Sequence, residues 1–124
     1  MKQKILIIED NEMNLYLLTF IVKKHGYEIT TARDGKEGIE MALRIKPDLI
    51  LLDIQLPGID GYTVARELRK NPVTVNIPIV AVTAFAMEGD REKALDAGCS
   101  GYIPKPIDPT QFMKQVEQYF PQKN

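Results

Sequence analysis

Short apolar runs alternate with longer segments of helical periodicity along this chain of 124 residues. The runs occupy positions 5–8, 29–32, 49–52, 79–82 and 102–103, and the second of them is the weakest. The first, third and fourth runs lack the alternation of apolar and polar residues that marks a half-exposed strand, so they predict central strands covered on both faces. Because helical segments separate the runs, we expect parallel strands joined by crossover helices.

The ends of several helices can be placed from capping residues. A helix is expected from about 12 to 24, where Gly26 supplies a stop, and Asp34 followed three residues later by Glu37 has the spacing of a capping box. The pair 108–109 predicts an Asp cap with Pro at the first helical position. The inward stripe of that last helix is expected at Phe112, Val116 and Phe120. The pattern predicts an α/β fold, a doubly wound five-stranded parallel sheet of order 2-1-3-4-5 with five helices.

Composition and charge limit the classes of protein to which the chain can belong. Hydrophobic residues make up 44% and charged residues 27%, as in one globular domain, so we expect positions 1–124 to form a single domain. The net charge of -1 gives no field that would draw the chain to nucleic acid or to an anionic membrane. No apolar run approaches the roughly 20 residues of a membrane span, and the lone Cys99 is expected to be packed, which together favour a cytoplasmic protein.

Polar residues follow four of the predicted strands at their carboxyl ends. The first strand ends in the pair 9–10 of Glu and Asp, the third in Asp53, the fourth in Thr83, and Lys105 follows the fifth. Any one of them alone is most simply a helix cap or an exposed residue. Their joint placement favours a site, because ligands of doubly wound sheets bind outside the carboxyl ends of the strands.

Three carboxylates at one edge need cations. Two of them about 4 Å apart repel by roughly 4 kcal/mol at an effective dielectric constant near 20. A divalent metal and Lys105 would meet that need, and oxygen ligands from Asp10, Asp53 and a backbone carbonyl suit Mg²⁺. Such a metal would orient Asp53 for in-line attack on phosphorus, as carboxylate nucleophiles do in aspartyl-phosphate enzymes.

Four sequence motifs resemble those of the receiver domains of bacterial two-component response regulators. They are Glu9-Asp10, the Leu-Leu-Asp-Ile-Gln-Leu-Pro-Gly-Ile-Asp-Gly run from Leu51 to Gly61, Ala81-Val82-Thr83-Ala84, and Tyr102-Ile103-Pro104-Lys105-Pro106. The resemblance covers essentially the whole chain and is strongest to single-domain receivers of the DivK type. It implies the flavodoxin-like, CheY-like version of the fold, and a receiver domain without an output domain.

The same resemblance implies roles for individual residues. Asp53 would be the phosphoacceptor that becomes a 4-aspartylphosphate. Catalytic roles fall on Asp53, Thr83 and Lys105, and Mg²⁺, with Mn²⁺ as the alternative ion, would be held by Glu9, Asp10, Asp53 and the Gln55 carbonyl. Glu9 stands where many receivers have Asp, so its longer side chain can reach the metal directly or through water. Thr83 and Tyr102 would form the switch, and the 105–106 peptide bond is expected to be cis.

Partners follow from the resemblance as well. The phosphodonor would be a histidine kinase or a histidine phosphotransfer protein, contacted by Met13, Asn14 and Leu17, and a downstream protein target would contact Phe85, Met87 and Tyr102. We expect Phe85 also to hinder attack by water and so to prolong the signal. The chain would be a signalling switch in a phosphorelay, not an enzyme that turns over small substrates.

Three other interpretations remain open at this point. An aspartate-dependent phosphatase shares the topology, but such enzymes usually place a second Asp where Gln55 stands. A flavin-binding domain also shares it, although an acidic pocket repels the FMN phosphate. The chain would otherwise be an interaction module that belongs to a larger regulator or hybrid kinase.

Overall fold

The computed structural model of the protein describes residues 2–84 and 87–120. The strands are β1 (Lys4–Ile8), β2 (Glu28–Ala32), β3 (Leu49–Leu52), β4 (Ile79–Thr83) and β5 (Gly101–Pro104), and the helices are α1 (Glu12–Lys24), α2 (Gly35–Ile45), α3 (Gly61–Lys70), α4 (Asp90–Asp96) and α5 (Phe112–Glu117). Elements alternate along the described chain, as the order of apolar runs predicts. All four strand pairings are parallel, and the sheet has the order β2-β1-β3-β4-β5. The predicted fold class is confirmed.

The register of the sheet brings the carboxyl ends of the strands level. Ile8 at the end of β1 lies between Ala32 and Leu52, and Leu52 in turn lies beside Ala81 of β4. Thr83 ends β4 opposite Pro104 of β5. Residues that follow these positions therefore share one edge, which is where the sequence predicts a site.

Both faces of the sheet are buried, so the fold has two apolar cores. Leu6 and Ile8 of β1 point to one face, where α2, α3 and α4 contribute buried residues. Ile5 and Ile7 point to the other, where α1 and α5 cover the sheet. Full burial of such side chains is worth roughly 1.5–3 kcal/mol each. The continuous apolar runs thus reflect strands covered on both sides, as predicted.

The predicted helix starts are confirmed for α1 and α2. Asn11 caps α1 by accepting a hydrogen bond from the Asn14 amide at 3.0 Å, and Gly26 follows the helix with φ 88. The Asp34 side chain accepts from the Glu37 amide at 2.8 Å. The Glu37 carboxylate reaches past Asp34 to the amide of the preceding residue at 2.8 Å, which is one position beyond the reciprocal bond of a capping box.

The predicted Asp108 cap is present, but the last helix begins later than predicted. The Asp108 side chain accepts from both the amide and the hydroxyl of Thr110, at 2.9 and 2.7 Å, and so closes a local turn. The Asp108 carbonyl accepts from the Phe112 amide at 2.8 Å, so one turn precedes the helix, which itself begins at Phe112. Phe112 and Val116 are buried as predicted, whereas Phe120 lies beyond the end of α5 and is half-buried.

Across residues 2–84 and 87–120, no helix combines the length and the apolarity needed to cross a membrane.

Candidate functional site: an acidic cluster at the carboxyl edge of the sheet

Three carboxylates converge at the carboxyl edge of the sheet. Glu9 continues β1, and its amide donates to the Ala32 carbonyl at 3.0 Å. The Asp53 amide donates to the Ile8 carbonyl at 2.9 Å, which fixes Asp53 beside the end of β1. One carboxylate oxygen from each of Glu9, Asp10 and Asp53 lies within 4.8 Å of the others. The structure thus brings together the three carboxylates that the sequence predicts.

Lys105 lies against this cluster. Its Nζ is 2.8 Å from Glu9 Oε1 and 3.5 Å from Asp53 Oδ2. The Lys105 amide donates to the Thr83 carbonyl at 2.8 Å, which ties the segment after β5 to the end of β4. The 105–106 peptide bond is cis, as predicted. An ammonium group therefore faces two buried carboxylates and offsets part of their repulsion.

Asp53 is buried, with only 5% of its surface exposed. Burial, and after it the neighbouring Glu9, raise the pKa of its carboxyl to about 7, because protonated Asp53 donates a hydrogen bond to Glu9 and escapes its charge. Lys105 and the Gln55 amide, which donates to Asp53 Oδ1 at 3.1 Å, oppose that rise. Near neutral pH this carboxyl is consequently only partly ionised, and a bound cation would displace the proton that remains.

The backbone after Asp53 is packed tightly against the start of α3. A Cβ added to Gly61 would lie 2.6 Å from the Asp53 carbonyl oxygen and 2.6 Å from Ile54 Cα. Only glycine allows this approach, and the Gly61 amide uses it to donate to the Ile54 carbonyl at 2.9 Å. The segment after the central carboxylate is thereby fastened to the helix that follows.

The two residues expected to form the switch lie on neighbouring strands. Thr83 is buried at the end of β4. Tyr102 on the outer strand β5 is half-buried, and its ring packs against the core formed with α2, α3 and α4. The Tyr102 hydroxyl is buried and has no hydrogen-bond partner in the part of the chain that the structure describes. The role of Thr83 and Tyr102 as a switch stays a prediction.

The residues predicted to contact partners occupy two places. Asn14, Leu17, Ala84 and Lys105 contribute to the lining of a cavity of about 330 Å³ between α1 and the segment after β5. Met13 on the first turn of α1 is 78% exposed, and Met87 before α4 is 77% exposed. Phe85 lies outside the described residues, so its proposed roles stay predictions.

Sequence reasoning missed two residues beside the acidic cluster. The Asn11 amide donates to Glu9 Oε2 at 3.2 Å, while its side chain caps α1. The Arg33 guanidinium reaches the β1–α1 loop from the end of β2 and donates to the Asp10 carbonyl at 3.2 Å. An Asn directly before a predicted helix was a readable capping signal for Asn11. The place of Arg33 directly after a predicted strand was the available signal for it, but that place alone did not indicate a contact with Asp10.

Comparison with known proteins identifies the family. Residues 5–117 match the response regulator receiver domain. The chain is 41% identical over 119 residues to the polar-differentiation response regulator DivK of Brucella anthropi, a match that covers 96% of this chain and 97% of that protein. The chain therefore belongs to the response regulator receiver domain family, whose members act as signalling switches in two-component systems.

Solved structures agree with this assignment. The receiver domain of sensor histidine kinase PA1611 from Pseudomonas aeruginosa is 35% identical with a TM-score of 0.89, covers 96% of this chain and 98% of its own, and holds a magnesium ion in its active-site cleft. The chemotaxis protein CheY4 of Vibrio cholerae, at 22% identity, has a TM-score of 0.91 over 97% of this chain and 100% of its own. The second likeness shows the CheY-like fold alone.

Proposed function

We propose that this receiver domain is the phosphoacceptor of a phosphorelay, and that Mg²⁺-dependent transfer from a phosphohistidine to Asp53 switches the face built from α4, β5 and α5. The convergence of Glu9, Asp10 and Asp53 on one point, with Lys105 beside them, carries this proposal. Receiver domains take phosphoryl groups from histidine kinases, and we assign a histidine kinase or a histidine phosphotransfer protein as the donor here.

The donor set fits a hard divalent cation, since carboxylate oxygens within 4.8 Å of one another are the ligands that Mg²⁺ prefers. Glu9, Asp10, Asp53 and the Gln55 carbonyl would hold the ion, and Mn²⁺ has the same oxygen preference. When bound, Mg²⁺ neutralises charge on the transferring phosphoryl group. The magnesium in the related Pseudomonas receiver supports this assignment.

Phosphoryl transfer assigns a task to each remaining polar group. A deprotonated Asp53 oxygen would attack phosphorus in line with the bond to the donor imidazole, so that a P–O bond forms as the P–N bond breaks, and the leaving nitrogen keeps the electron pair and takes a proton from solvent. Lys105, which pairs with Glu9 and Asp53 in the structure, would turn to a phosphoryl oxygen. The Thr83 hydroxyl would donate to another. The product is a 4-aspartylphosphate.

The phosphoryl group would act on the fold through charge. It adds roughly -1.5 to -2 elementary charges, which draws Thr83 and Lys105 inward. Movement of Thr83 would change the space beside Tyr102 and thereby the face of α4, β5 and α5. Shifting the two conformations from about 1:99 to about 99:1 takes roughly 5.5 kcal/mol, which a few charge-assisted hydrogen bonds and a metal bridge together supply.

Two surfaces would serve the two kinds of partner. Met13 and Leu17 are exposed on α1, and Leu17 lines the cavity that Lys105 also lines, so a donor helix placed there would bring its phosphohistidine to the cluster. We assign the output side to Met87, Tyr102 and Phe85, since an exposed methionine adapts to different target shapes. Phe85 would in addition slow hydrolysis by excluding water from the aspartyl phosphate.

The proposal is tested by incubating the protein with acetyl phosphate and Mg²⁺ and recording its intact mass. We expect one phosphoryl group to be added in the presence of Mg²⁺ and none with a chelator. Asp53→Asn should abolish the adduct, and Asp96→Asn, which neutralises an exposed carboxylate on α4, should leave it unchanged. Equal labelling of the protein and its Asp53→Asn variant would refute the assignment.

A further inference from the structure

Arg33 joins the two loops that flank the acidic cluster. It follows β2, and its backbone is fixed because its amide donates to Glu37 Oε1 at 2.8 Å and the next residue caps α2. Its Nη2 donates to the Asp10 backbone carbonyl at 3.2 Å, and Nη1 and Nη2 both lie 3.5 Å from Glu12 Oε1. One guanidinium fork thus spans from the end of β2 to the loop between β1 and α1.

Asp10 has the least side-chain support of the three carboxylates. Glu9 is held by Lys105 and by the Asn11 amide, and Asp53 is held by Lys105 and by the Gln55 amide. Among residues 2–84 and 87–120, nothing donates a hydrogen bond to the Asp10 carboxylate. In that part of the chain, the side chain of Arg33 reaches Asp10 from outside the β1–α1 loop and donates to its backbone carbonyl.

We propose that Arg33 is a positioning residue for the metal site, which holds the Asp10 segment in the conformation that presents its carboxylate to a divalent cation. The inference rests on the proposed function, because Asp10 is assigned there as a ligand. Residues that orient metal ligands commonly control metal affinity without touching the ion. Arg33 acts here through the Asp10 backbone.

The charge of Arg33 works against its positioning role. A guanidinium near the site repels a divalent cation, and Glu12, which is 81% exposed, screens it only in part. If charge alone mattered, removal of Arg33 would tighten Mg²⁺ binding. If positioning dominates, as we propose, removal of Arg33 weakens it. The two effects therefore have opposite signs.

Calorimetric titration of the full chain with Mg²⁺ decides between them. We expect Arg33→Ala to raise the Mg²⁺ Kd by about 3- to 10-fold. Loss of contacts that orient metal ligands typically lowers metal affinity by about 10- to 100-fold, and Arg33 acts less directly, through the Asp10 backbone. Arg44→Ala, which removes the same charge from an exposed position in the last turn of α2, should change the Kd by less than about twofold. Arg33→Lys, which retains a donor on a long stem, should recover part of the affinity.

A second readout separates positioning from general damage. Labelling by acetyl phosphate should need a higher half-saturating Mg²⁺ concentration in Arg33→Ala, whereas the rate at saturating Mg²⁺ and the thermal midpoint without metal should match the unsubstituted protein. An unchanged or lowered Kd in Arg33→Ala, or equal losses in Arg33→Ala and Arg44→Ala, would overturn the inference. Wild-type protein that binds Mg²⁺ but accepts no phosphoryl group would refute the proposed function and leave this result standing.

Discussion

Protons and Mg²⁺ should compete for the acidic cluster near neutral pH. Burial and the adjacent Glu9 raise the pKa of Asp53 to about 7, and the metal needs the deprotonated carboxylate. For one proton of that pKa, the apparent Kd for Mg²⁺ should be about tenfold higher at about pH 6 than at about pH 8. Above about pH 8 the Kd should level off, because the carboxylate is then ionised without the metal.

Calorimetry measures both the affinity and the proton count. Titrations in two buffers of different ionisation enthalpy should give different heats at about pH 6.5, because somewhat less than one proton is released for each ion bound. Above about pH 8.5 the heats should agree, since no proton is left to release. The variant Glu9→Gln is the informative comparison, since it removes the hydrogen-bond acceptor and the charge that help to raise the Asp53 pKa. Its pH profile should shift to lower pH, whatever its absolute affinity.

The raised pKa of Asp53 also determines whether the metal-free protein gains or loses stability as pH rises. The pKa of Asp53 is higher in the folded protein than its ordinary 3.8, so the folded state holds the proton over a pH range where the unfolded chain has lost it. This group's contribution to the free energy of unfolding is therefore full below about pH 4 and is lost as pH rises through about pH 7.

An Mg²⁺ Kd that is equal at about pH 6 and about pH 8, with buffer-independent heats, would refute the predicted competition between protons and Mg²⁺.

Three further predictions concern the fold and the lifetime of the signal. Arg69→Ala should lower the free energy of unfolding by about 2–4 kcal/mol, since Arg69 donates to the Gly98 and Ile77 carbonyls at 2.8 and 2.7 Å. The control Arg66→Ala, on the exposed side of α3, should lower it by less than about 0.5 kcal/mol, and urea denaturation measures both. Gly61→Ala should cost about 1–3 kcal/mol in the same assay, because its Cβ would meet backbone atoms at 2.6 Å. Phe85→Ala should speed loss of the phosphoryl group, and an unchanged rate by time-resolved intact mass would contradict that role.

The sequence predicts the sheet order and the gathering of carboxylates because both follow from rules that depend on position alone. Continuous apolar runs mark strands such as β3, and residues just beyond them, Asp53 among them, must share an edge when the strands are parallel. Lys105 was also predictable on that ground, although its 2.8 Å contact with Glu9 was not. A long side chain such as that of Lys105 can reach several acceptors, and which of them it contacts depends on the packing of the folded protein.

The sequence did not predict two features, the first residue of α5 and the contact of Arg33 with Asp10. The Asp108 cap was predictable, but the first residue of α5 was not, because the cap closes a separate turn before the regular helix begins at Phe112. Arg33 was overlooked since its role depends on the pairing of β1 with β2, which brings its guanidinium to Asp10. Its place after β2 indicated the right edge of the sheet but not which backbone group its side chain would reach.

The central claim is that Asp53 accepts the phosphoryl group, and locating the adduct tests it most directly. After treatment with acetyl phosphate and Mg²⁺, peptide mapping by mass spectrometry should find the added phosphoryl group on the peptide that contains Asp53, at that residue, and nowhere in the Asp53→Asn variant. An adduct on another residue of the native protein, or one that persists in Asp53→Asn at the native level, would contradict the account.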